Sequence, residues 1–377
     1  MRYKEYALLL VTWVVWVNHA ENKTIIEIGP TAGIDTIITA FMHRHKIPGM
    51  AVVLYTNDQP YYWHCGYADA RNKKPVTEKT LFEIGSISKI FTCLLIAQEI
   101  LQGTMQLHDP IAMHIPQLSR NKRLKSVTLE RLGTHTSSLP WNAPGTVRSE
   151  RALLQHVARW KPSRSRSLHW HYSNHGIELL RIALEESSGQ EINSLLLNRI
   201  LIPLNMSPVG IKIPPEYQKH YARCYNKEGK PAIAWRHPFL LGSAALKVSS
   251  IDMLNFLKAA LGLPGTPPAI LAAMRMTQTP YVAMGTVKHG LGWVIRPLTS
   301  RKVPIAKSAK KIQVNQRVFN GNALFDKNGT TEGFHAYLAV IPSKKTGVVI
   351  MINRRLPSGL RLITNLGKEI LAVVDAL

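Results

Sequence analysis

The chain has 377 residues, 45% hydrophobic and 19% charged. That balance supplies a large buried core and excludes a disordered tail, a coiled-coil rod and a disulfide-stapled miniprotein. Lysine and arginine number 47 against 23 acidic residues, a formal charge of +24; most of the excess must lie at the surface, where it attracts anionic surfaces but says nothing about fold.

In chain order, the first feature is a leader. Arg2 and Lys4 precede an apolar run from Ala7 to Val17 that only Thr12 interrupts, and Asn18-His19-Ala20 offers a processing point after Ala20. The pattern predicts an export signal peptide over residues 1–20 and a periplasmic protein. The run is shorter than the roughly 20 residues that span a bilayer. Ile34, Ile37, Ile38 and Phe41 have helical spacing and predict a helix over Ile34 to His45. Met50 to Thr56, the turn Asn57-Asp58-Gln59-Pro60 and the alternating run Tyr61 to Tyr67 predict a hairpin. Gly85-Ser86 opens a long apolar helix with Ile90, Phe91, Leu94 and Leu95 on its inner face.

From about Leu107 to Tyr221 the pattern is mostly helical, and a further helix is expected over Ser250 to Ala260. Residues 301–317 carry Arg301, Lys302, Lys307, Lys310, Lys311 and Arg317 without an acid, which reads as a solvated loop or, more sharply, as a contact for anionic envelope polymers. Ala336 to Ile341 and Val348 to Ile352 read as strands around a turn, followed by a helix from about Leu360 to Leu377. Strands at both ends and helices between predict an α/β (α+β) fold: a mixed, mainly antiparallel sheet flanked by helices. Residues 21–105 and 226–377 would form the sheet-bearing part and residues 106–225 a mostly helical insertion, with the active site at their boundary.

Cys65, Cys93 and Cys224 form no CxxC pair and no ladder of spacings, which argues against a disulfide framework and a structural zinc site. Cys93, in an apolar stretch, reads as a small buried hydrophobe. His169, His171 and His175 invite a metal reading, but they lack the acid of the metallo-hydrolase arrangement, and a polar wall around Tyr172 fits them better. No basic helix or aromatic-interleaved sheet motif suggests nucleic acid.

The strongest local chemical signal is Leu81-Phe82-Glu83-Ile84-Gly85-Ser86-Ile87-Ser88-Lys89. Ser86 and Lys89 stand one helical turn apart on one face. A serine hydroxyl needs a base to become a nucleophile, and a lysine serves once burial or another cation lowers its pKa. Ser119/Lys122 and Ser308/Lys311 share the spacing, but neither opens a buried helix. Downstream, Tyr172-Ser173-Asn174 offers a phenol for proton exchange and an amide to orient a carbonyl or a lysine. Lys327-Asn328-Gly329 enters Thr330-Thr331-Glu332-Gly333-Phe334 and the strand beyond; Lys345-Thr346-Gly347 sits in a turn, away from a pocket wall. A lysine on a pocket-edge strand is a fixed cation, and a glycine beside it admits substrate to the backbone.

Ser-x-x-Lys, Tyr-x-Asn and Lys-x-Gly in this order resemble the penicillin-recognising serine enzymes, and within them class C β-lactamases. The resemblance runs from Ile47-Pro48-Gly49-Met50 to the C-terminus and is especially close at Pro75-Val76-Thr77, at 81–89 and at 327–334, with Tyr337 and Ile341-Pro342 following. It implies that Ser86 is acylated, that Lys89 and Tyr172 share the proton transfer, and that Asn174 holds the substrate amide and Lys89. Lys327 would lower the Tyr172 pKa and attract the substrate carboxylate. The backbone N–H groups of Ser86 and Thr330 would form the oxyanion hole. Asn142 would contact the substrate side chain and Arg361 its carboxylate, with Asn328 and Gly329 on the binding strand. Ser358 stands where the family commonly has asparagine, Asn328 replaces the usual threonine, and Glu332 a glycine. With Asp326, Glu332 would set two acids near the carboxylate-binding cation.

The expected activity is therefore hydrolysis of β-lactams by a monomeric enzyme that requires neither metal nor organic cofactor. A D-alanyl-D-alanine carboxypeptidase or esterase on the same scaffold is the first alternative, and a non-catalytic cell-envelope binding protein is an alternative of a different class.

Overall fold

The computed structural model describes residues 31–141, 147–161, 169–234, 237, 239–298, 313–314 and 317–377. The leader, Asn142, the Ser308/Lys311 pair and nearly all of the basic stretch 301–316 lie outside the described residues.

The strands are β1 (Gly49–Thr56), β2 (Gln59–Asp69), β3 (Lys74–Pro75), β4 (Phe82–Glu83), β5 (Lys247–Val248), β6 (Val282–Met284), β7 (Val287–His289), β8 (Val294–Arg296), β9 (Gln313–Val314), β10 (Leu324–Thr330), β11 (His335–Ile341) and β12 (Thr346–Ile352). Ten of them form one sheet in the order β3-β2-β1-β12-β11-β10-β8-β7-β6-β9, while β4 and β5 pair apart. Each ladder among the described residues is antiparallel. β1 closes on β12, with Met50 opposite Ile352 and Tyr55 opposite Gly347, so the two ends of the chain share the centre of the sheet.

The hairpin turn is two residues rather than the expected four. Asn57 and Asp58 both have positive φ, 52° and 56°, which the short polar side chains tolerate and a two-residue hairpin turn demands. The strand therefore restarts at Gln59, and Pro60 lies opposite Tyr55.

The helices are α1 (Ile34–His45), α2 (Ser88–Gln102), α3 (Ile111–His114), α4 (Leu129–Gly133), α5 (Glu150–Arg159), α6 (Asn174–Ser188), α7 (Ile192–Leu196), α8 (Leu241–Ala244), α9 (Ser250–Leu261), α10 (Pro268–Gln278) and α11 (Gly359–Val373). α11 stops short of the expected Leu377.

Side chains alternate across the sheet. Met50, Val52, Leu54, Tyr337, Ile350 and Ile352 pack with Ile34 and Ile38 of α1 and Ile363 and Ile370 of α11. Ala51, Val53, Leu338, Val340, Val349 and Met351 turn to the opposite face, against a larger core that includes Phe91 and Leu94 of α2 and Phe256 of α9. The rings of Phe91 and Phe256 stack at 4.2 Å. The central strands are covered on both faces, so β1 is apolar along its length and buried throughout.

Candidate active site

The alternation that builds the sheet also sorts the residues of β10. Phe325, Lys327 and Gly329 turn toward α2, while Leu324, Asp326 and Asn328 turn toward α11, where Asn328 donates to Thr364 Oγ1 at 3.4 Å. Lys327 and Gly329 therefore reach the Ser86 side of the sheet, and the Asn328 amide is directed away from it.

Ser86 lies in a 3₁₀ turn, Gly85–Ile87, that runs directly into α2. β10 lies hard against this turn. A methyl group added at Gly329 would overlap the Ile84 carbonyl oxygen and lie 3.0 Å from Ser86 N. One added at Gly85, whose φ is +49°, would lie 2.5 Å from Thr330 N. The two glycines let the Ser86 and Thr330 backbones meet, as an oxyanion hole made of their N–H groups requires.

Lys89, one turn into the helix, is fully buried. Its Nζ donates to Ser86 Oγ at 3.1 Å and to the Ser243 carbonyl at 2.8 Å. Burial, then the charge of Lys327, pushes its pKa well below the usual lysine value, with Glu178 opposing. Lys327, also buried, is lowered to about 8, chiefly by burial. Both nitrogens stand 5.1 Å from the centre of the Tyr172 ring.

The Tyr172 pKa is raised by burial, with the neighbouring Ser86 hydroxyl opposing. The pull expected from Lys327 does not set the direction of the net shift. The phenol stays protonated near neutral pH.

The turn that presents Tyr172 is fixed at four points. His171 N–H donates to the His135 carbonyl at 2.7 Å, Ser173 N–H to His135 Nδ1 at 3.2 Å, Ser173 Oγ to the Pro140 carbonyl at 2.8 Å and Asn174 N–H to the Trp141 carbonyl at 3.0 Å. Ser173 then caps α6 by accepting from Gly176 N–H. Asn174 is the first residue of that helix. The His135 ring lies 4.4 Å from that of Tyr172, and the half-exposed Trp141 stands edge-on to it at 5.5 Å.

The acids flanking Lys327 are both accounted for elsewhere. Asp326 accepts from Arg296 Nε at 2.9 Å and from the Tyr337 hydroxyl at 3.1 Å on the far face. Glu332 pairs with Arg355 at 2.8 Å. Both acids expected near the Lys327 cation thus have cationic partners of their own. Arg361 is exposed in the first turn of α11. Lys345 sits in a turn beside Asp58, distant in the sheet from Lys327.

His135, Ser243, Glu178 and His335 went unread in the sequence. His335 Nε2 accepts from Leu356 N–H at 2.9 Å and its Nδ1 pairs with Thr330 Oγ1, so it braces the end of β10. No short motif marks these residues; each acts through a backbone group brought close by the fold. Among the described residues, no group of three or more His, Cys, Asp or Glu side chains is placed to hold a metal, and the three cysteines are free thiols.

A serine bonded to a buried lysine and set beside a phenol and two backbone amides is the equipment of an acylating serine hydrolase. The chain belongs to the β-lactamase family, whose model matches residues 34–369. It is 32% identical over 340 residues to a β-lactamase of Escherichia coli strain K12, an alignment covering 86% of this chain and 89% of that one. Its structure is similar to that of a class C β-lactamase mutant, at 28% identity and a TM-score of 0.85 over 94% of this chain and 99% of the other. A D-alanine carboxypeptidase from Burkholderia cenocepacia is similar at 27% identity and a TM-score of 0.83, over 91% and 98% of the two chains.

Proposed function

We propose that the protein is a class C serine β-lactamase that opens the lactam amide by acylating Ser86 and releases the product by hydrolysis. The observation that carries this reading is the Lys89–Ser86 contact of 3.1 Å made by a lysine that burial drives toward the neutral amine. A neutral amine has a lone pair that accepts the serine proton; an ammonium has none. Ser86 Oγ attacks the lactam carbonyl as Lys89 takes its proton. The Ser86 and Thr330 N–H groups receive the developing oxyanion, a contribution of about 10²–10³ in rate for one such donor. The protonated Tyr172 hydroxyl, beside Ser86, passes a proton to the departing lactam nitrogen and is replenished from Lys89. Lys327 supplies the cation for the substrate carboxylate, and Asn174, at the mouth of α6, its amide contact. Water then attacks the ester and frees Ser86.

Intact-mass analysis after exposure to a penicillin or a cephalosporin, followed over time, tests the reading. An adduct of one lactam that forms and disappears is expected, and Ser86→Ala should form none. A carboxypeptidase shares the acylation step and differs in release, so an adduct that persists for hours would favour it. Full function in Ser86→Ala would favour a binding protein.

The leader pattern at residues 2–20 supports export to the periplasm, and the positive charge supports weak contact with anionic envelope polymers around a monomer. The division of 21–105 and 226–377 from 106–225 is supported by the strands of the large sheet, which fall within the first two ranges.

A further inference from the structure

A buried ion pair lies directly behind the candidate site. Arg181 and Glu178 of α6 are 1% and 0% exposed, and Arg181 Nε donates to Glu178 Oε2 at 2.8 Å. Arg181 also reaches Glu185 and Glu150. Such pairs add little to stability on balance, because desolvation offsets the attraction. Their placement here is informative.

The Glu178 carboxylate does more than face Arg181. It accepts the Ser243 N–H at 2.8 Å and the Gly242 N–H at 3.2 Å. These amides belong to the first turn of α8, where they have no intrahelical acceptor. The Gly242 carbonyl is held separately by Thr92 Oγ1 at 2.7 Å. Gly242 itself is pressed between α6 and α2: an added methyl would lie 2.9 Å from Arg181 Cβ and 3.1 Å from Thr92 Oγ1. With both amides and one carbonyl fixed, the next carbonyl, that of Ser243, is directed at Lys89 Nζ at 2.8 Å.

We propose that Glu178, oriented by Arg181, is a positioning residue for acylation: through the Gly242–Ser243 backbone it fixes the carbonyl that aims Lys89 at Ser86. The proposal rests on the reading of Ser86 as nucleophile and Lys89 as its base. Glu178 touches neither substrate nor Ser86. It acts on Lys89 in two ways, by geometry through Ser243 and by its charge. The ionisable groups around Lys89 are Cys93 on its own helix, Lys327 on β10, Glu178 on α6, Tyr172 ahead of α6 and His135 after α4, which burial and both lysines hold neutral. Of these, Lys327 disfavours the ammonium and Glu178 favours it. Neutralising Glu178 should therefore make Lys89 easier to deprotonate while leaving it less well aimed.

The test is Glu178→Gln in the full chain, read by stopped-flow acylation with a chromogenic cephalosporin from pH 5 to 9. The plateau rate should fall roughly tenfold or more, and the acid limb should move down by about one pH unit. A lesion that only loosened the fold would scale the profile without moving its limb. A profile that keeps both plateau and midpoint, or only scales, overturns the proposal. A second readout needs no substrate: the titration of Lys89 followed by NMR of labelled lysine, whose midpoint should drop in the variant and whose constancy would also overturn it. If the wild-type chain forms no acyl adduct, the acylation reading falls and this titration still decides what Glu178 does to Lys89. Should Glu178→Gln fail to fold beside Arg181, the double variant Glu178→Gln, Arg181→Met removes both charges and is read the same way.

Discussion

The nitrogens of Lys89 and Lys327 stand equally far, 5.1 Å, from the centre of the Tyr172 ring, although the two lysines come from sequence positions more than two hundred residues apart. Two ammonium groups in one dry site repel, and the more deeply buried one, Lys89, gives way. Removing the second should therefore change the first. In Lys327→Ala the acid limb of kcat/KM should move to higher pH, because Lys89 loses the neighbour that disfavours its charge. KM for a carboxylate-bearing lactam should rise about tenfold to a hundredfold in the same variant. Steady-state kinetics across pH check both, and an unmoved limb would show that the lysines do not sense each other.

Lys327 has its own pH signature. Its value is lowered to about 8, so the ammonium is present below that pH and lost above it. Binding of an anionic substrate should weaken as pH climbs through 8, raising KM while kcat changes less. A neutral lactam ester measured in parallel should show a flat KM over the same range.

Lys89→Arg keeps the charge and much of the length but supplies a group that does not deprotonate in proteins. Acylation should fall by about 10³-fold or more, in line with the loss of a positioned base. Tyr172→Phe should cost about 10²-fold through loss of the proton donor. Circular dichroism should remain native in both, which separates lost chemistry from lost fold.

The approach of β10 to the Ser86 turn has no slack. Gly329→Ala would drive a methyl into the Ile84 carbonyl, so the strand must retreat. Acylation should drop by about 10²-fold, because the Thr330 amide moves with the strand. Binding of substrate should suffer less. Normal turnover by this variant would mean that the two amides do not act together.

Several histidines are buried in neutral form. His289 is lowered to about 3 and His335 to about 4, both chiefly by burial, and His135 is pushed well below its usual value by burial and by Lys327. In the unfolded chain each titrates near 6.5. Above that pH both states are neutral and stability is full; as pH falls, the unfolded chain takes up protons that the folded chain refuses. At pH 5 the cost is about 2 kcal/mol each for His289 and His335. Melting temperature should therefore drop by several degrees between pH 7 and pH 5, and His289→Gln should blunt the decline. An equal Tm at both pH values would refute this account.

The sequence exposed those features that repeat or cluster locally. The helical spacing of Ile34, Ile37, Ile38 and Phe41 marks α1 at its observed ends, and Ser86/Lys89 stands out because a glycine precedes it and a buried helix follows. Lys327 was separable from Lys345 because one enters a strand and the other a turn. What stayed hidden depends on contacts between distant segments. The carbonyl that holds Lys89 comes from Ser243, and the ring beside Tyr172 from His135; neither residue type announces such a role. The alternation that sends Asn328 toward α11 is set by the register of β10 against β11, which no local pattern fixes.

The pairing of β1 with β12 joins residues 50–55 to 347–352. Nearly the whole polypeptide must leave the ribosome before the middle of the sheet has its second neighbour. A nascent chain arrested before β12 leaves one edge of β1 and one edge of β11 without a partner. Topologies with such remote pairing also fold slowly. The interval between synthesis and closure is the period in which these unpaired strand edges are open to proteases and to other chains.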